Sequence, residues 1–389
     1  MNQTKKRKIC FVITSTIHYA RSKLILVKLK KRDDVDLQIV IGGSAILSKY
    51  GEVDKWLKHD GLDVSAVVSI TLEGGNNVSM AKTAGLGVIE FTSTFEKLKP
   101  DIVVLRADRY EVLSAAIAAA YLNIPIAHIE GGDVSGNIDE SVRHAITKLA
   151  HIHFATNEDS KKRIIQMGER PDYVFNVGCP GLEIAAKNNF KITNRIINNM
   201  GLGARVDINK NFLIVTQHPV TTEIEMNEKN IIETIKSISE LNIPTIWFWP
   251  NVDAGTDRIS GMLRRYREKH NLDRSVLFIK FLLPEEFISL LKKTSCLVGN
   301  SSAGIKECSY LKIPVVNIGT RQDGRMRAEN VIDVDYDRRK IKKAILKQIS
   351  HGPYPSSDIY YKPNSSKKIV DILSNINLYI QKKFNDDNV

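Results

Sequence analysis

Two successive blocks, each alternating short apolar runs with amphipathic ones, constrain the fold of this 389-residue chain more than any other feature. The first block passes through KICFVITST, DLQIVIGG, AVVSITL, DIVVLRAD, IPIAHIEGG and HIHFATN, with helical runs such as ARSKLILVKLKKR, MAKTAGLGVIEFTSTFEKLKP and EVLSAAIAAAYLN between them. It ends near VFNVGCPG. Continuous apolar strands separated by helices form parallel sheets covered on both faces. A polar, glycine-containing stretch, NNFKITNRIINNMGLGARVDINKN, follows and reads as a linker. The alternation then restarts at NFLIVTQH and continues through PTIWFWPN, SVLFIKF, SCLVGNSS and PVVNIG. The expected fold is α/β, with two Rossmann-like doubly wound domains facing across a cleft, over residues 1–188 and 205–352. The closing run SSKKIVDILSNINLYIQKKF is amphipathic and predicts a helix over 366–385 that packs back on the first domain.

Composition narrows the function by exclusion. The formal charge of +12 is spread along helices and forms no single block interleaved with aromatics. That pattern argues against a nucleic-acid partner. No segment approaches eighteen uncharged apolar residues, so neither secretion nor a membrane partner is expected. Cys10, Cys179, Cys296 and Cys308 lie far apart without a C-x-x-C. This suits reduced thiols in the cytoplasm better than disulfides or zinc. No G-x-G-x-x-G follows the first strand and no G-K-[ST] occurs, which argues against hydride chemistry and ATP hydrolysis. Neither a cofactor nor a metal is expected.

Residues 128–154, HIEGGDVSGNIDESVRHAITKLAHIHF, gather four acids where a strand ends and a helix begins. Ligands of open α/β sheets bind at such strand ends. Asp139–Arg143 and Glu140–His144 have i, i+4 spacing, which ordinary helix pairing explains. That account does not reach Asp108, in RADRYE, and Glu130, which end neighbouring strands. Carboxylates from several strand ends around a cleft suit acid/base catalysis. In the second half, GNSSAGIKE places Ser301 and Ser302 at a helix start, where free N–H groups and hydroxyls can cradle a phosphate. Glu307, about one turn on, can accept from ribose hydroxyls. His218 in TQHPV, Asn251 and Asp253 in PNVDAG, and Arg321 and Arg325 in RQDGR follow other strands of the same half. Arginine forks suit a diphosphate.

Together, ADRYE, HIEGGDVSGNIDESVRHAITKLAH, QHP, PNVDAG, GNSSAGIKE and GTRQDGR resemble the hydrolysing UDP-N-acetylglucosamine 2-epimerases of sialic acid biosynthesis. The resemblance spans roughly residues 8 to 335. It implies a GT-B type fold, a UDP-sugar substrate, a homo-oligomer (dimer or tetramer), and conversion of UDP-N-acetylglucosamine to UDP and N-acetylmannosamine. Carried over by position, it implies that Asp108, Glu130, Asp139 and His218 are catalytic. It also implies that Arg109, Arg21, Asn251, Ser301, Ser302, Glu307 and Arg321 bind substrate, with Arg109 on the diphosphate. The first-strand loop departs from the family pattern. Thr16 stands where an arginine is usual, His18 where an acid is usual, Ala45 where a histidine is usual, and Ala107 where a glycine is usual. These changes point to a related UDP-sugar, such as a 4-amino-modified 6-deoxy derivative. A UDP-sugar-dependent glycosyltransferase of the same fold, or a binding protein without catalysis, are the alternatives.

Overall fold

The computed structural model describes residues 5–250, 253–270 and 274–386. Fourteen strands form two seven-stranded sheets among the described residues. In the first half, β1 (Arg7–Ile13), β2 (Val35–Gly42), β3 (Ala66–Val68), β4 (Ile102–Arg106), β5 (Ile126–Ile129), β6 (Ile152–Ala155) and β7 (Val174–Asn176) pair in the order 3-2-1-4-5-6-7. All are parallel. Their apolar runs are buried on both faces by flanking helices, so Ile9, Phe11 and Ile13 pack one way and Cys10 and Val12 the other.

The second half contains β8 (Gly201–Gly203), β9 (Leu213–Thr216), β10 (Thr245–Phe248), β11 (Val276–Ile279), β12 (Cys296–Gly299), β13 (Val315–Ile318) and β14 (Val331–Val334). Their order is 14-13-12-9-10-11-8. Only β8, within the stretch read above as a linker, runs antiparallel, and it covers the β11 edge. The expected α/β class with two Rossmann-like sheets of GT-B type is what the chain forms. Strand order reverses between β1 and β4 in one sheet and between β9 and β12 in the other, and crevices open at such switch points.

The expected C-terminal helix is shorter than its amphipathic pattern. It spans Ser365–Asn375, with Ile369, Val370 and Leu373 in the core beneath β1 and helix 16–30. From Ile376 to Asp386 the chain forms neither helix nor strand. Tertiary contacts override helical spacing there: His151 Nε2 bonds the Ile380 carbonyl at 2.9 Å, and Lys382 Nζ donates to the Lys148 carbonyl at 2.6 Å and to Glu169 at 2.7 Å.

Candidate active site

The two switch points face each other, and the cleft between them is lined from both halves. Seven basic side chains and five carboxyls line it, and two further carboxylates, Glu111 and Glu307, pair with the lining Arg109 and Arg21. On the first-half wall, Asp108 follows β4 and Glu130 follows β5. The residue before Asp108 and Glu130 itself both take left-handed backbone angles, φ 60° at Ala107 and φ 69° at Glu130. Such angles are costly for residues with a Cβ and cluster where function fixes a side chain. Two contacts hold the turns: Ala107 N–H donates to the Ile129 carbonyl at 2.8 Å, and His128 Nε2 meets the Ala107 carbonyl at 2.8 Å.

The i, i+4 pairing of Asp139 with Arg143 does not form. Arg143, fully buried, reaches across to Asp108 and also donates to the Asp133 carbonyl oxygen at 2.8 Å. Asp139 instead accepts from Asn137 Nδ2 at 2.9 Å. The reason is geometric: Arg143 faces inward on helix 139–149, where the unneutralised carboxylate at the end of β4 outcompetes a neighbour on its own helix. The second expected pair, Glu140–His144, is present at 3.9 Å.

This arrangement separates the protonation states of the acids. Burial lifts the Asp139 carboxyl, the charges of Asp108 and Asp253 lift it further, and its pKa is pushed up to about 6. For Asp108 burial acts upward too, but the Arg143 and Arg325 charges outweigh it and hold the carboxyl below its ordinary range. Glu130 lies well below its ordinary range: burial is overcome by Arg106, Lys306 and Arg21. Asp133 falls to about 2 under Lys306, Arg325 and Arg143, again against burial. At neutral pH the cleft therefore holds one readily protonated carboxyl among ionised ones.

Arg109 forms a two-pronged pair with Glu111 (3.0 and 3.1 Å) and reaches Asp253 of the opposite half at 2.9 Å. On the second-half wall, the His218 backbone N–H donates to Asn300 Oδ1 at 2.7 Å, and Asn300 Nδ2 returns a bond to the His218 carbonyl at 2.9 Å. This reciprocal pair ties the ends of β9 and β12 together. Burial, with Arg321 nearby, lowers the His218 pKa to about 3, so its ring is neutral. Arg321 Nη1 donates to the Asn300 carbonyl at 3.3 Å. Asn251 lies outside the described residues.

The helix expected over AGIKECSYL is two four-residue turns, Ser302–Ile305 and Glu307–Tyr310, broken at Lys306. Ser301 caps the first, accepting from Ala303 N–H at 3.3 Å. Glu307 and Ser302 both engage Arg21: its Nε and Nη2 meet the Glu307 carboxylate at 2.8 and 2.7 Å, and Nη2 meets Ser302 Oγ at 3.3 Å. Three residues assigned above to substrate thus pair with one another across the cleft.

Sequence reasoning missed Arg106 and Lys306. Arg106, fully buried, places Nη2 3.0 Å from Glu130. Lys306 Nζ lies 3.0 Å from Asp133 and 3.5 Å from Glu130. A charged residue inside the otherwise apolar run IVVLR was the available signal for Arg106. Lys306 gave none, because its role depends on the helix break. The altered first-strand loop forms a neutral wall. His18 is held by Thr14 Oγ1 at 3.2 Å, and burial beside Arg109 and Arg106 lowers it to about 3. Ala45 is buried, and Ile17 and Met80 supply apolar lining.

Two doubly wound halves with a charge-lined cleft at both switch points define a two-Rossmann protein of GT-B type. Within that class the chain belongs to the UDP-N-acetylglucosamine 2-epimerase family, whose sequence model matches residues 27–374. It is 35% identical over 375 residues to the Legionella pneumophila UDP-N,N'-diacetylbacillosamine 2-epimerase (hydrolyzing), covering 96% of this chain and 97% of that one. It is 32% identical over 382 residues to the Campylobacter jejuni GDP/UDP-N,N'-diacetylbacillosamine 2-epimerase (hydrolyzing), with 96% and 97% covered. The fold also matches the crystal structure of Methanocaldococcus jannaschii UDP-GlcNAc 2-epimerase in complex with UDP-GlcNAc and UDP. The TM-score is 0.77 at 19% identity, covering 94% of this chain and 99% of that one. Among the described residues no helix is long and apolar enough to cross a membrane.

Proposed function

We propose that this protein is a hydrolysing 2-epimerase that converts a UDP-linked 2-acetamido sugar to UDP and the free 2-epimer. The observation that carries the reading is the Asp139 carboxyl, poised at about 6 beside ionised Asp108 and Glu130 in a cleft built from both halves. Inversion at C-2 requires removing a weakly acidic proton. As a carboxylate takes that proton, the C-1–oxygen bond to UDP breaks and a C-1=C-2 glycal forms. Water then adds at C-1, and a proton is returned to C-2 on the opposite face. Atoms balance as UDP-sugar plus water giving UDP plus free sugar. Asp139 is the proton carrier, since transfer is most effective from a group whose pKa lies near the working pH. Asp108 and Glu130 are the ionised partners.

In this reading the first half carries the chemistry and the second half holds UDP. Arginine forks suit a diphosphate, and Arg109, Arg321 and Arg21, which line the cleft, are its ligands. His218 stands by the departing phosphate as a neutral hydrogen-bonding group. Ser301, Ser302 and Glu307 serve the nucleotide, and Asn251 is assigned with them from the motif alone.

The substrate we favour is UDP-N,N'-diacetylbacillosamine, a 4-acetamido 6-deoxy sugar. Both hydrolysing relatives named for it match nearly the whole chain. The neutral lining of Ile17, His18 and Met80 supports a sugar with a methyl group in place of a hydroxymethyl. A panel of UDP-2-acetamido sugars, assayed for UDP and free sugar, tests this. Turnover of the 4-acetamido 6-deoxy substrate well above UDP-N-acetylglucosamine is expected. The reverse preference would refute the substrate, and sugar transfer to an acceptor would refute the reaction.

A further inference from the structure

Lys306 and Glu307 are neighbours in sequence, yet both reach the first half. Successive residues on an unbroken helix point about 100° apart and do not share a face. The break at Lys306, with φ −95° and ψ −65°, separates the two short turns and lets both side chains cross the cleft. Lys306 is 2% exposed; its ammonium lies near Glu130 and Asp133 and 5.3 Å from the centre of the Tyr360 ring. Glu307 takes Arg21 in a two-pronged pair, and the same guanidinium stands only 3.9 Å from Glu130.

The two carboxylates therefore compete for one arginine. Where Glu307 holds Arg21, Glu130 keeps Arg106 from its own half and gains Lys306 from the other. Glu130 also meets Cys179, whose Sγ lies at 3.2 Å, and its charge acts without a direct bond on Asp108 and His18. Asp133 shares Lys306 and also faces Arg325 at 3.6 Å.

We propose that Lys306 and Glu307 form a charge-exchange clasp: Lys306 is a positioning residue that orients Glu130 across the cleft, while Glu307 draws Arg21 away from it. The idea rests on the function proposed above, in which Glu130 serves the reaction. Its consequence is that the second half, besides holding a ligand, completes the surroundings of a first-half carboxylate. Glu130 is fully equipped only when the two halves meet as described here. A bound diphosphate that recruits Arg21 would leave Arg106 and Lys306 as its cations.

The test is a double-mutant cycle on the full-length protein with Lys306→Met and Glu130→Gln, read in kinetics and in ligand-free thermal melting, with Lys306→Arg as the conservative variant. Lys306→Met is expected to lower kcat about 10- to 100-fold with KM within about threefold. Lys306→Arg should recover most of that loss. In the Glu130→Gln background, Lys306→Met should cost less than about threefold more. The melting cycle should be non-additive in the same sense. Additive effects in both readouts, or an arginine variant as impaired as the methionine one, would overturn the clasp. A wild-type protein that turns over no UDP-sugar would refute the proposed function, and the melting cycle would still decide whether the clasp exists.

Discussion

The two walls of the cleft solve different problems. The first-half wall holds opposed charges at close range: Arg143 on Asp108, Arg106 on Glu130, and Asp139 left with an amide partner and a raised pKa. Two left-handed backbone positions, Ala107 and Glu130, sit at consecutive strand ends. On the second-half wall the strand ends are tied by neutral hydrogen bonds, the reciprocal His218–Asn300 pair and a capping serine, while Asp253, Lys306 and Glu307 pair with charged groups of the first half. A carboxyl with a raised pKa beside paired, ionised ones, on strained backbone, is the equipment of proton transfer. Bonds that tie strand ends together give a rigid docking surface. The contrast supports the proposed division, with chemistry on the first-half wall and recognition on the second.

The largest effects should come from the charged wall. Asp108→Asn, Glu130→Gln and Asp139→Asn are each expected to lower kcat by at least about 10²-fold while UDP affinity changes little. Isothermal titration with UDP beside steady-state kinetics checks the split. A variant that loses UDP affinity in step with rate would place its residue on the recognition side. Asp108→Asn should also lower the pKa of Asp139, because a charge that raises it is removed.

Changes on the second-half wall should act on binding. Ser301→Ala and Arg321→Ala are expected to weaken UDP binding by about 1–3 kcal/mol, the scale of one lost neutral or charge-assisted bond. Titration calorimetry checks this. Unchanged affinity in both would remove the serine–arginine face from the nucleotide site.

Asp139→Asn should also raise stability, in a definite pH window. The folded-state pKa of about 6 lies above the ordinary 3.8. Between those values the folded protein binds more protons than the unfolded chain, so stability falls as pH rises through the window and stays lower above it. The amide removes that loss. The gain at pH 8 should be on the order of 1–2 kcal/mol, allowing for the partial solvent contact of the side chain, and should vanish near pH 3.5. Denaturant melts at the two pH values measure it; an equal effect at both would contradict the raised pKa.

The smallest effect tests backbone strain. Ala107→Gly is expected to stabilise by about 0.5–1 kcal/mol, since glycine takes a positive φ without the Cβ penalty but loses more entropy on folding. Thermal melting checks the sign.

Strand alternation and the strand-end acids were readable directly, because period and burial are local properties of sequence. Asp108, Glu130 and Asp139 do converge on one cleft, and Arg21, Arg109, Ser302 and Arg321 line it with them. What escaped were relations across long sequence distances. Arg143 is 35 residues from Asp108, and Lys306 is 176 from Glu130. The break at Lys306 falls two residues after Gly304 and has no proline to announce it, and the irregular run after Asn375 follows contacts with His151 and Glu169 that amphipathicity does not encode. The linker reading failed for a similar reason: Gly201–Gly203 gains a strand from β11, not from its own composition.

The central claim is a C-2 proton exchange coupled to loss of UDP, and turnover in heavy water tests it most directly. With a UDP-2-acetamido sugar, proton NMR and mass spectrometry should find free UDP and a free 2-epimer carrying one deuterium at C-2. A released sugar without deuterium at C-2, or an epimer still linked to UDP, would contradict the account.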